Sequence, residues 1–73
     1  MLQVGVVLHR AKSGRLIVRL SREVRPGVPI LDGEGWRLGN VVELIGPVRA
    51  PYASVVVTSS RISKTGDAAY VEG

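Results

Sequence analysis

Apolar residues alternate with polar ones along much of this chain, and glycine or proline interrupts the pattern every few residues. Residues 15–20 show it most cleanly. Leu16, Val18 and Leu20 point one way, and Arg15, Ile17 and Arg19 the other, which is the two-residue period of a half-buried strand. Residues 2–9 are rich in Val and Leu, with Val4, Val6 and Leu8 on one face. Between these two runs, Ser13-Gly14 predicts a tight hairpin turn. Pro26-Gly27 marks the next turn. Residues 28–31 form a short apolar run whose Pro29 predicts an edge or irregular strand, because proline cannot donate to a ladder. Asp32-Gly33 is a turn pair in which both residues tolerate positive φ. Residues 40–45 predict a further strand, stopped by Gly46-Pro47. Pro51 precedes the β-branched residues 52–58, Lys64-Thr65-Gly66-Asp67 is another turn, and residues 68–71 predict a last short strand.

No window of helical length carries apolar residues at three- and four-residue spacing without a Gly or Pro inside it. The prediction is therefore an all-β domain spanning residues 1–73, with disorder expected only in the last few. Strands this short leave costly edges unless the sheet closes, so a small antiparallel barrel is the expected architecture.

With 73 residues the domain buries a smaller fraction of its unfolded surface than larger domains do, and no cysteine is present to staple it. The same absence excludes a thiolate metal site. Apolar runs such as Val6-Val7-Leu8 are far shorter than the roughly 20 residues a spanning helix needs, so no membrane partner is expected. The formal charge of +4 and a sequence pI of about 10.4 favour a polyanion nearby, RNA or an RNA-rich complex. Against direct base reading, the aromatic residues are only Trp36, Tyr52 and Tyr70, few faces for bases to stack on. Gln3 and Asn40 are the only side-chain amides, a scarcity that fits a thermophilic source.

Catalytic chemistry is not expected. His9 is the single histidine, and Ser13 and Ser21 are near it only in sequence. Asp32 and Glu34 flank a turn, where aspartate ordinarily serves backbone geometry. The scattered carboxylates lack ligand spacing for a metal. Gly33-Glu34-Gly35 lacks the following helix that a phosphate loop needs. Neither a cofactor nor a small-molecule substrate is predicted.

Surface binding remains. If Val42 and Leu44 point into the core, Glu43 faces out between Val41 and Ile45, and an apolar stripe lies on the outside. Ile17 repeats this between Arg15 and Arg19. Small proteins seldom leave contiguous apolar patches bare, so the stripe predicts a docking face. Gly46-Pro47-Val48-Arg49-Ala50-Pro51-Tyr52 adds two prolines that stiffen a loop and so reduce the entropy lost on binding. Tyr and Arg are favoured interface anchors. The predicted protein-binding residues are Val41, Ile45, Gly46, Pro47, Val48, Pro51 and Tyr52.

Gly39-Asn40-Val41-Val42-Glu43-Leu44-Ile45-Gly46-Pro47-Val48-Arg49-Ala50-Pro51-Tyr52 closely resembles the signature of the GAR-type subunit of H/ACA ribonucleoproteins, and a related assembly-factor family shares this core domain. Residues 4–8 and 13–19 look like that family's opening hairpin, so the resemblance covers roughly residues 4 to 58. Without flanking Arg-Gly-rich tails, the chain looks like the archaeal core-only form. The resemblance implies a six-stranded barrel of the translation-factor type. It also implies docking on the catalytic domain of a dyskerin-type pseudouridine synthase, with only indirect contact to the guide RNA. In that family the subunit assists RNA loading and product release by acting on a mobile loop of the synthase, without supplying a catalytic residue. The setting would be cytoplasmic in an archaeal cell and nucleolar in a eukaryotic one. The alternative is a small basic barrel that binds RNA directly, as ribosomal or elongation-factor barrels do, although the ten basic residues are spread along the chain.

Overall fold

The computed structural model of the chain describes residues 1–46, 51–58 and 63–73. Six strands make up the regular structure: β1 (Leu2–Arg10), β2 (Leu16–Leu20), β3 (Pro29–Leu31), β4 (Arg37–Ile45), β5 (Tyr52–Val57) and β6 (Ala68–Val71). They close into an antiparallel barrel in the order β1-β2-β5-β4-β3-β6, with no helix among the described residues. Closure removes the edges that short strands would otherwise expose. The seam between β3 and β6 is a single residue pair, Leu31 with Tyr70. Pro29 limits β3 to three residues and supplies no ladder donor, in keeping with the irregular strand expected there.

Aliphatic and β-branched side chains fill the interior, with Ile30, Val4, Val7, Val18, Val41 and Val55 the largest that are fully buried. β2 keeps its predicted phase, with Leu16, Val18 and Leu20 buried. β1 does not. Val4 and Val7 are buried, while Val6 and Leu8 are half-buried. The reason is two bulges. Val4 is an extra residue between Gln3 and Gly5 against β6, and Leu8 is one between Val7 and His9 against β2. Each bulge inserts one residue and inverts the alternation beyond it.

Two interior glycines permit close approach of neighbouring strands. A Cβ on Gly39 would run into the Val56 carbonyl oxygen, and one on Gly5 into that of Arg19. Only glycine fits at such approaches, which let a narrow barrel curve.

The turns use their glycines at defined places. The Ala11 N–H donates to the Arg15 carbonyl and the Gly14 N–H to that of Ala11, closing a three-residue loop with Gly14 at φ 89°. The β3–β4 connection repeats this geometry. The Asp32 N–H donates to the Trp36 carbonyl and the Gly35 N–H to that of Asp32, at 2.9 and 3.0 Å. The positive φ belongs to Gly35, at 88°, rather than to Asp32 or Gly33. Asp32 instead accepts the Glu34 and Trp36 N–H groups on its Oδ1, at 2.9 and 3.0 Å. A type I turn followed by a left-handed glycine needs that glycine at the third loop position, which displaces it from the predicted pair.

Candidate docking face

Strands β2, β5 and β4 lie side by side, and their outer surface can be read row by row. In one row Ile17 pairs with Ser54, which pairs with Glu43. In the next, Arg19 pairs with Tyr52, which pairs with Ile45. These rows face outward because the intervening ones, Leu16–Val55–Val41 and Val18–Ala53–Leu44, contain the core residues Leu16, Val18, Val41, Ala53 and Val55. Ser54 is too small to reach past its neighbours and is buried although it faces out. Ile17 and Tyr52 are half-buried, and Ile45, Val42 and Val56 are exposed at 46%, 41% and 37%. Arg15 and Glu43 form an ion pair at 3.8 Å over the face. The result is an apolar surface with a polar rim, the composition of a protein interface.

The face differs from the predicted one at Val41 and Val42. Val41 is in the core and Val42 is exposed, the reverse of the expectation. Val42 is the extra residue of a bulge between Val41 and Glu43, opposite the single step from Val55 to Ser54 on β5. The bulge exchanges the two valines and restores the expected phase from Glu43 onward. Leu44 then pairs with buried Ala53, and Ile45 with outward Tyr52. Leu44 nevertheless remains 38% exposed at the end of the strand. Val41 is therefore withdrawn from the docking residues. Val42, Val56 and Ile17 belong to the face, and Val42 and Val56 were missed. A β5 alternation starting from Tyr52 would have placed Val56 outside.

Gly46 and Pro51 flank this face. Gly46 adopts φ 94°, a conformation that ends β4 in the left-handed region. The Pro51 carbonyl accepts the Leu20 N–H at 3.0 Å, which fixes the start of β5 to the end of β2. Pro47 and Val48 lie outside the described residues. Asn40, paired with Val56 at the edge of the face, has a buried Oδ1 that no group among the described residues satisfies. Such an acceptor carries a desolvation cost until a donor reaches it.

His9 is exposed at the end of β1. The Ser21 N–H bonds the Val4 carbonyl at 2.7 Å, five positions down the strand, or about 16 Å at the usual rise. Ser21 and His9 are thus held apart. Among the described residues no three His, Cys, Asp or Glu side chains converge on a metal position. At the β3–β6 seam a cavity of about 420 Å³ opens over Val24, Val28, Leu31 and Val71, with Arg25 and Glu72 at its wall.

No family model matches the chain. It is 36% identical over 52 residues to an uncharacterized protein of Methanothermobacter thermautotrophicus, an alignment covering 71% of this chain and 56% of that one. The chain thus spans little more than half the length of that relative. It is 32% identical over 62 residues to the uncharacterized protein MJ0782.1 of Methanocaldococcus jannaschii, covering 85% of this chain and 75% of the other. At that identity and coverage, the chain belongs to the same archaeal protein family as MJ0782.1.

Proposed function

We propose that this barrel is a non-catalytic accessory subunit of the H/ACA guide-RNA-dependent pseudouridine synthase. It docks on the dyskerin-type catalytic subunit, in the archaeal cytoplasm, and assists loading of substrate RNA and release of product during rRNA pseudouridylation. The observation that carries the reading is the pairing of Ile45 with Tyr52 on the outer face, both within the segment 39–52 that resembles the GAR-type signature. An exposed apolar row beside that segment has no use in an isolated protein and a clear one against a partner. Anchors of this type, a tyrosine and a branched aliphatic with small neighbours, concentrate binding energy in few residues. The closed six-stranded antiparallel barrel is the coarse architecture that the resemblance implies.

The test is a pull-down from extract of an archaeal source cell, with and without nuclease, followed by titration against the purified synthase. A nuclease-resistant synthase partner is expected. Recovery of ribosomal proteins that vanish on nuclease treatment, with no synthase, overturns the reading.

A further inference from the structure

We infer that the barrel end formed by the β1–β2 hairpin and the turn at residues 64–67 is a contact surface for the phosphodiester backbone of a nucleic-acid strand. The basic residues look scattered in sequence, but the fold gathers several of them. Arg10 closes β1, Lys12 lies on the hairpin loop and Arg15 follows it. Three hydrogen bonds bring the distant turn alongside. The Val7 N–H donates to the Asp67 carbonyl at 2.8 Å, the Gly66 N–H to the Val7 carbonyl at 2.7 Å, and the Thr65 hydroxyl to the Leu8 carbonyl at 2.7 Å. This antiparallel path continues toward Lys64 beside the end of β1. Arg10, Lys12, Arg15 and Lys64 are all exposed, as is His9.

Carboxylates also lie near this end: Glu43, and Asp67, which lines a pocket beside the turn together with Asp32 and Glu34. Glu43 pairs with Arg15, and Asp67 accepts the Lys64 backbone N–H on Oδ2 at 2.8 Å. Arg10, Lys12 and Lys64 form no ion pair among the described residues, so three cations remain for an external anion. A Cβ at Gly14 or Gly66 would meet nothing within 4 Å, so no other part of the protein covers either turn.

The chemistry favours a nucleic-acid strand over an acidic protein. None of the large exposed apolar side chains lies on the hairpin or the turn, so a dry protein interface has no anchor there. The charges sit at or just beyond the adjoining ends of three neighbouring strands, β6, β1 and β2, a width of about 10 Å at the usual strand separation. Each of the three cations can neutralise one phosphate of a strand lying across that width, about three contacts in all. Neither the hairpin loop nor the turn carries an aromatic residue, so bases are not stacked there, and binding is indifferent to sequence. Ile45 and Tyr52 lie at the end of β4 and β5 away from this hairpin, although Arg15 borders both surfaces through its pair with Glu43, and the inference does not depend on synthase docking.

The experiment is fluorescence anisotropy of the full chain with 20-nucleotide single strands of two sequences, as RNA and as DNA. Three phosphate contacts predict that affinity falls about twentyfold between 50 and 200 mM salt, the slope for single strands being about −0.7 per contact. The variant R10E/K12E/K64E is expected to bind at least tenfold more weakly. The control R19E/R22E/R25E changes net charge equally, at exposed positions away from the hairpin, and is expected to keep most of the affinity. Circular dichroism confirms that both triples stay folded. Equal losses in the two triples, or affinity insensitive to salt, overturn the assignment. An oligoglutamate of equal charge binding as tightly as the strands would reassign the surface to acidic proteins.

Discussion

Ile45 and Tyr52 are direct partners across β4 and β5, one the last residue of its strand and the other the first of the next. Side chains paired in this way lie about 5 Å apart on one face. The connection between the two strands therefore leaves and re-enters the barrel beside an apolar pair already turned outward. Tyr52 also pairs with Arg19 on β2, so the row runs across three strands.

Replacing Ile45 by Asp is expected to leave the barrel folded and to weaken synthase binding more than tenfold, because the charge enters a contact where it loses its water. Val41→Asp should unfold the domain, since Val41 is 1% exposed against Val55. Circular dichroism and calorimetric titration of both variants check this. A folded Val41→Asp with normal binding would show the bulge to be misplaced.

Gly39→Ala should destabilise the barrel although it adds one methyl group. The new Cβ meets a backbone carbonyl that no rotamer change can move. A cost above about 2 kcal/mol is expected from overpacking of this kind, which lowers Tm by at least about 8 °C in a domain of this size. A thermal melt measures it, with Gly14→Ala as a comparison in which the left-handed backbone is strained but the surrounding space is open.

Asp32 holds the β3–β4 turn through two backbone donors on one oxygen. Asp32→Ala should cost about 1–2 kcal/mol, the usual net value for exposed hydrogen bonds lost together. Asp32→Asn keeps an acceptor in the same place and should recover most of that loss. Urea midpoints of the two variants separate the turn's geometry from its charge; equal midpoints for Ala and Asn would remove the hydrogen bonds from the account.

The Arg15–Glu43 pair spans 3.8 Å with both side chains well exposed. A double-mutant cycle to alanine is expected to give a coupling below about 1 kcal/mol that fades in high salt. A larger, salt-insensitive coupling would mean that the pair is shielded from solvent in a way its exposure does not suggest.

The sequence by itself determined the class of fold and most of its punctuation. β2 could be read residue by residue because its five positions alternate without a bulge, and β5 and β6 lie within one residue of their predicted limits. Turns at Gly14, Gly27 and Gly66 all place a glycine at positive φ, where local sterics alone select it. Phase in β1 and β4 was decided only by tertiary pairing. A bulge is a relation between two strands, and nothing in Val41-Val42 says which valine faces Val55. Three-dimensional closure likewise required glycine at positions 5 and 39, where the obstacle is the carbonyl of a strand distant in sequence. The meeting of Lys64 with the hairpin that carries Arg10 and Lys12 is of the same kind. It follows from hydrogen bonds between residues 57 to 60 positions apart, a juxtaposition that no local periodicity encodes.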